Sequence, residues 1–252
     1  MSMRIIVNAD DLGISEPVNE AIFQGMQRGV ITSATMLSNG PAIRAAVQNL
    51  HMFPECSFGV HLNLTEFGPL FSGSNTDLAD ILDKNRCFNG NSIREVTIGV
   101  GMLRAIFREW CSQIENVIRL GVEPSHLDAH HHVHTIPQLL PVLAALGRRY
   151  KINKARISKN MYDDSERPGQ LLLAKKRLFN LALRAIGFRT THIFTDLRTF
   201  IKLCAVRPPG PSSVELMTHP GSLPRDEEAN LLESDWRGRL AYKATLVSYK
   251  SL

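Results

Sequence analysis

Five of the chain's nine histidines fall within ten residues, Ser125-His126-Leu127-Asp128-Ala129-His130-His131-His132-Val133-His134, with one carboxylate among them. Neutral imidazole is the commonest ligand for borderline divalent metals, and the second ring nitrogen of such a ligand needs an acceptor, often a carboxylate. The segment therefore points to a metal centre, but it offers more donors than one ion uses. If extended, it sets Asp128, His130, His132 and His134 on one face and His131 and Val133 on the other. If it turns helical after His130, then His130 and His134 stand one turn apart on one side. A purification tag or an idle surface run would be a duller explanation. A tag sits at a terminus, whereas this run lies mid-chain between Leu127 and the helical pattern Ile136, Leu139, Leu140, Leu143.

Further donors stand at the ends of other apolar runs. Asp10-Asp11 follows Arg4-Ile5-Ile6-Val7-Asn8-Ala9, His61 lies in Phe58-Gly59-Val60-His61-Leu62-Asn63-Leu64, and His219 follows Val214-Glu215-Leu216-Met217-Thr218. One carboxylate plus two imidazoles, with open positions for water, is a recognised catalytic metal arrangement. It acidifies water and polarises a carbonyl oxygen. Neighbouring Asp10 and Asp11 would point to opposite faces of a regular strand. At the strand's end, with Gly13 close by, the backbone can leave the pleat and aim both inward, so that one binds metal and the other accepts a proton. Either could instead cap the next helix, but Ser15 is better placed for that. His219 draws its interest only from its position opposite the other strand ends. His51 and His192 have no such support and read as structural, and His126 precedes the strand, away from the metal.

These positions need a frame. Arg4–Ala9 reads as a buried parallel strand, and Ser15 caps a helix with Pro17 in its first turn and Val18, Ala21, Ile22 and Met26 on its apolar side. A strand over Ser33–Leu37 leads through Asn39-Gly40-Pro41 to a helix bearing Ile43, Ala46, Val47 and Leu50. Residues Phe71–Ser92 read as an insertion on the loop side. Leu103, Ile106, Phe107, Trp110, Ile114, Val117 and Ile118 repeat at helical spacing up to Gly121, so the aromatic members read as core. Pro137 opens another helix, Ala155-Arg156-Ile157 is a weak strand, Leu171–Ile186 is a helix, and His192–Thr195 is a strand. Arg207-Pro208-Pro209-Gly210-Pro211 is a loop before the strand ending at His219. Such alternation means right-handed βαβ units on a parallel sheet. Seven or so units point to a TIM-like barrel, irregular or incomplete, in which strand C-terminal ends converge on one face. A doubly wound sheet is the runner-up, without a glycine-rich phosphate fingerprint after the first strand.

The 252 residues fit one large α/β domain, and 44% hydrophobic and 21% charged residues are ordinary for a soluble protein. The net charge of +5 comes from scattered basic residues. The short clusters Arg148-Arg149-Tyr150-Lys151 and Lys175-Lys176-Arg177 lack the interleaved aromatics that stack bases, which argues against nucleic acid. The charge weakly favours anionic neighbours such as a membrane surface or an acidic glycan. Cys56, Cys87, Cys111 and Cys204 stand far apart, without paired spacing, which suits a reducing compartment. With no signal peptide and no apolar run long enough to span a membrane, the expected location is cytoplasmic. No stable membrane insertion is expected, and a homo-oligomer is left open.

Taken together, Asn8-Ala9-Asp10-Asp11-Leu12-Gly13, Gly59-Val60-His61, the run His126–His134 and Met217-Thr218-His219-Pro220 resemble the YdjC-like carbohydrate deacetylases, including the chito-oligosaccharide deacetylases. Ile31-Thr32-Ser33-Ala34-Thr35 and Asn39-Gly40 also fit that family's second strand and loop, and Ser248-Tyr249 resembles part of its C-terminal segment. The likeness runs in order from residue 4 to about residue 220; Phe71–Gly101 and much of Asn153–Pro211, which would shape the substrate pocket, do not match. The resemblance implies a single irregular or incomplete TIM-like (β/α) barrel over residues 1–252. It implies a divalent metal on Asp11, His61 and His130, with His132 and His134 left to the pocket wall. Related metal-dependent deacetylases suggest Asp10 as general base and His219 as general acid. The family suggests magnesium, while two imidazoles suit zinc better. The substrate would be an N-acetylated amino sugar in an oligosaccharide or related glycan, attacked by water at the acetyl carbonyl. Rival readings are another metal-dependent hydrolase, such as a phosphodiesterase or amidohydrolase, and a carbohydrate-binding protein with a structural metal. Release of free acetate separates the first reading from both.

Overall fold

The computed structural model describes residues 3–73, 76–90, 92–206, 213–222, 226–240 and 243–252. The expected loop at Arg207–Pro211 lies outside the described residues. The chain builds strands β1 (Met3–Leu12), β2 (Ser33–Met36), β3 (Ser57–Leu62), β4 (Leu127–Ala129), β5 (Ile193–Asp196), β6 (Ser213–Thr218) and β7 (Ala244–Leu246). The helices are α1 (Glu16–Gln27), α2 (Ile43–Asn49), α3 (Val100–Arg119), α4 (Leu140–Tyr150), α5 (Gln170–Ala185), α6 (Leu197–Val206) and α7 (Asp226–Glu233). The sheet order is β4-β3-β2-β1-β6-β5, with β7 alongside the first residues of β1, and every pairing is parallel. Strand β1 is central, which is why apart from Arg4 it is buried along its whole length. A parallel strand covered on both faces needs a continuous apolar run rather than an alternating one.

The strands form a curled half-barrel, in keeping with the expected incomplete β/α barrel. Between its edges, β4 and β5, runs the stretch 153–161. Leu127 N–H donates to Lys154 O at 3.0 Å, Arg156 N–H to Leu127 O at 3.0 Å and Ala155 N–H to Arg189 O at 3.2 Å. The weak strand expected at Ala155–Ile157 is thus an irregular span that makes single bridges to either side. It carries Arg156 across the open side of the sheet.

Local sequence explains most element boundaries. Ser15 Oγ accepts from Val18 N–H at 3.4 Å and Pro17 occupies the first turn of α1. Helix α3 buries Met102, Ile106, Trp110, Ile114 and Val117, whereas Ile118 is 45% exposed and so does not join the core as its spacing suggested. The same buried face holds Glu109 and Gln113. Glu109 accepts from the Leu70 and Phe71 amides at 3.0 and 2.8 Å, and Gln113 bridges the Asn63 amide and carbonyl at 2.8 Å each. These polar groups fasten the loop after β3 against the helix. The Phe71–Ser92 region sends Leu78, Ile81 and Phe88 into the core through a 3₁₀ turn and a short bridge. Among the described residues no helix is long and apolar enough to cross a membrane.

Candidate active site

The register of β1 against β2 slips between Ala9 and Leu12, and Asp11 adopts φ +69°. A left-handed residue at that point breaks the strict alternation of the strand. This removes the geometrical difficulty of adjacent carboxylates, and both Asp10 and Asp11 reach the same buried cluster. Gly13 (φ +101°) then turns the chain towards α1, and its carbonyl lies where a side chain on Gly40 would collide.

Asp11, His61 and His130 converge. Asp11 Oδ1 lies 2.8 Å from His130 Nδ1 and 3.2 Å from His61 Nε2, and the two nitrogens are 3.4 Å apart. Donors about 2.1 Å from a shared ion stand about 3.0 Å apart in octahedral and about 3.4 Å in tetrahedral coordination. The triangle therefore fits three adjacent corners of either polyhedron. The proton inventory also favours a cation. His61 Nδ1 faces Asp128 Oδ1 at 2.7 Å and Thr35 Oγ1 at 3.2 Å, so the ring's proton belongs there and the Nε2 lone pair faces a carboxylate oxygen. Two acceptors meet favourably only across a proton or a metal. Burial alone would lower the His61 pKa, but the Asp128 charge and bonds to Asp11 and Asp128 push it up to about 10. Burial would likewise raise Asp11, yet bonds from His130 and His61 hold it well below the usual carboxylate range.

The histidine run is neither extended nor helical. Strand β4 ends at Ala129, and His131 and His132 both have positive φ (49° and 56°) within a 3₁₀ segment over His130–Thr135. His130 alone of the run enters the triangle. His131 turns to Thr65 Oγ1 at 3.0 Å, His132 sets its ring edge against Phe194, and His134 Nε2 meets the Arg156 carbonyl at 3.2 Å. His126 is stacked on Tyr249 at 3.6 Å between ring centres, away from the triangle. His51 and His192 bond to Gln48 O and Ser213 Oγ, as structural residues do.

Beside the triangle stands a cluster the sequence reading missed, built on Arg156. Its guanidinium is fully buried, lies over Phe194, and binds Asp10 through both oxygens (2.6 and 2.7 Å), Asp128 at 2.8 Å and Glu215 at 2.7 Å. Although burial opposes it, Arg156 holds the pKa values of Asp10 and Asp128 below their ordinary value. Glu215 goes the other way: burial raises it despite Arg156. Its second oxygen accepts from Tyr249 Oη at 2.6 Å. Three buried carboxylates, Asp10, Asp128 and Glu215, thus share one buried guanidinium, while the fourth, Asp11, faces His61 and His130 at the place a metal cation would fill. The signal for this cluster was in the sequence: Arg156 and Glu215 each interrupt a short apolar run on a doubly covered element, where a charge needs a partner.

His219 follows β6. Its ring Nε2 is 4.0 Å from Asp10 Oδ2 and its backbone N–H donates to Glu228 Oε2 at 2.7 Å. A second donor group, Glu66, His130 and His131, is more exposed and sits on the rim. A third, Asp10, His61 and Asp128, already has its carboxylates bound by Arg156.

Comparison with known proteins follows the same lines. A family model described as YdjC-like protein matches residues 4–242. A carbohydrate deacetylase from Geobacillus stearothermophilus is 39% identical over 148 residues, covering 58% of this chain and 57% of the relative. One from Halalkalibacterium halodurans is 36% identical over 154 residues, 60% of this chain and 62% of its own. These alignments span less than two thirds of either relative. A carbohydrate deacetylase from Oceanobacillus iheyensis aligns over 90% of both chains at 28% identity. Among solved structures, a candidate cellobiose-phosphate cleavage protein from Enterococcus faecalis superposes with a TM-score of 0.80 at 24% identity, covering 100% of this chain and 99% of that one. That likeness speaks to the fold alone.

Proposed function

The chain belongs to the YdjC-like protein family, and on that premise we propose that it is a metal-dependent hydrolase that removes the N-acetyl group of an amino sugar in an oligosaccharide or related glycan. The observation that carries this reading is the donor triangle Asp11–His61–His130 directly beside Asp10 and His219. The names of the curated relatives, all carbohydrate deacetylases, support the substrate class.

Asp11, His61 and His130 would hold one divalent ion, which when bound supplies a Lewis acid for the acetyl carbonyl and for water. The family favours magnesium; two imidazoles beside one carboxylate suit zinc better. Asp128 fixes the His61 tautomer so that Nε2 faces inward. Asp10 takes the proton from the attacking water. Arg156 holds both Asp10 oxygens in one plane; Oδ1 also accepts from Asn8 Nδ2 at 2.9 Å, so Oδ2, on the His219 side, is the oxygen with a lone pair free for that proton. His219, on the far side of Asp10 Oδ2, delivers a proton to the departing amine. The protein works as one domain over residues 1–252. The free thiols of Cys56, Cys87, Cys111 and Cys204 support a cytoplasmic setting.

The test is acetate release from acetylated chito-oligosaccharides, glycolipids and bacterial polysaccharide fragments, with and without chelator. Chelator-sensitive acetate production is expected. Substrate binding without acetate release would favour a carbohydrate-binding protein instead.

A further inference from the structure

Helix α5 is apolar on two opposite sides. One side buries Leu173, Phe179 and Leu183. At 100° per residue, the stripe Leu171, Ala174, Leu178, Leu181, Ala185 lies roughly opposite, and all five residues are exposed. Leu171, Leu178 and Leu181 are 71%, 68% and 61% exposed, and with Leu172 they make up half of the exposed large apolar side chains among the described residues. Lys175 borders the stripe on one flank, Arg177 and Arg184 on the other, and no acidic residue occurs between Gln170 and Ala185. A helix in contact with water normally turns a polar face outward. An apolar stripe edged with cations is instead the pattern of a helix lying among lipid headgroups.

The same helix forms one wall of a cavity of about 460 Å³. Leu172, Lys175, Lys176 and Phe179 line it from α5, Arg94 and Lys159 add positive charge, and His132 brings it up to the active site. No acidic side chain is among its lining residues. Leu172 and Lys175, both exposed, mark its rim, so the stripe and the cavity adjoin. Burial and the neighbouring Lys159 and Arg94 lower the Lys176 pKa, although Lys159 is itself paired with Asp196 at 2.7 Å.

We propose that α5 docks the protein on an anionic lipid surface and that the cavity beside it receives amino sugars carried on lipid. The substrate class rests on the deacetylase reading above; the docking does not. Charge complementarity selects this occupant over a second copy of the chain. Two α5 stripes packed together would set Lys175 and Arg177 against the same cations, with no acid on the helix to separate them.

The experiment is co-sedimentation of the metal-loaded protein with vesicles of phosphatidylcholine alone or mixed with phosphatidylglycerol, in low and high salt. Salt-sensitive binding to the mixed vesicles is expected. The triple variant Leu171→Ser/Leu178→Ser/Leu181→Ser should lose at least about tenfold in affinity, and Arg177→Glu several-fold. Both variants should keep wild-type metal content and wild-type acetate release from a water-soluble substrate. Because sedimentation does not depend on turnover, absence of acetate release would count against the deacetylase reading and leave the docking result standing. Wild-type protein that ignores both vesicles overturns the proposal. So does a dimer in light scattering that the triple serine variant converts to monomer without any vesicle binding.

Discussion

At Asp10 two requirements pull against each other. A base must be free to accept a proton, yet both Asp10 oxygens are bound to Arg156, which holds the carboxylate below its usual pKa despite complete burial. Such a base stays ionised through the neutral range, which gives up some driving force for proton transfer in exchange for fixed geometry. Asp10→Asn keeps the volume but cannot take the proton, so turnover should fall about 10²- to 10⁴-fold. Bound metal should stay nearly stoichiometric, and the acidic limb of the kcat/KM profile should vanish or move. Near-wild-type turnover in a metal-loaded variant would remove Asp10 from the role of base; loss of metal would make it a ligand or a ligand's support. The triangle has its own check. His61→Ala and His130→Ala should each lose metal, while His51→Ala and His192→Ala retain it, by elemental analysis of the purified proteins. Full retention in His130→Ala would shift the ligand to a neighbouring histidine.

The elements hold these residues through a few close approaches. A Cβ on Gly40 would stand 2.4 Å from the Gly13 carbonyl oxygen and 3.0 Å from that of Leu37. Backbone on both sides leaves no flexible side chain to give way, so Gly40→Ala should cost about 1–3 kcal/mol in denaturant unfolding. The turn after β1 should shift with it, and the variant should bind metal more weakly than wild type. An unchanged unfolding midpoint and metal affinity would show that the two loops are not so coupled. Much at this scale was legible in the chain itself. Apolar runs marked the positions of strands β1, β2, β3, β5 and β6, and Ser15, Pro17 and Gly121 marked helix ends, because short-range sterics and capping decide them. The path of the histidine run was not legible, since two successive left-handed residues at His131 and His132 obey neither strand nor helix periodicity. The short β7 went unread because its three residues are defined by pairing with β1 rather than by pattern. A charge inside a short apolar run marks Arg156 as needing a partner, but Asp10, Asp128 and Glu215 lie far away in the chain, so nothing local names which groups it meets.

At the scale of the whole molecule, burial of neutral histidines sets an acid limit. Burial depresses the pKa of His126 to about 3 and of His134 to about 4, from an ordinary 6.5, against the raising effect of Asp128. Between those values and pH 6.5 the unfolded chain binds protons that the folded chain refuses. The contribution of these two rings is therefore full above about pH 6.5 and falls as the pH drops towards 4. At about 1.4 kcal/mol per unit, the two rings together remove on the order of several kcal/mol. His61 is protonated in both states of the metal-free protein through that window and does not offset the loss. Urea midpoints of metal-free protein between pH 7 and 4 should fall steadily, and His126→Phe should flatten the slope; a flat wild-type profile would contradict the buried neutral rings. A single line of contacts spans this interior. Asp10 holds Arg156, Arg156 holds Glu215, and Glu215 takes its last hydrogen bond from Tyr249, which also stacks on His126. Tyr249→Phe should cost about 1–3 kcal/mol by leaving a buried carboxylate oxygen without a donor, read as a lower melting temperature. The line also has a consequence for synthesis on the ribosome. Asp10 emerges early, Arg156 much later, Glu215 and Tyr249 later still. Until residue 156 clears the exit tunnel, packing β1 against β2, β3 and β4 would enclose Asp10 and Asp128 without the guanidinium that binds both, leaving the His61 ring as their cationic neighbour. Closure of the nascent half-barrel should therefore be least favourable before the arginine arrives and be favoured once it does.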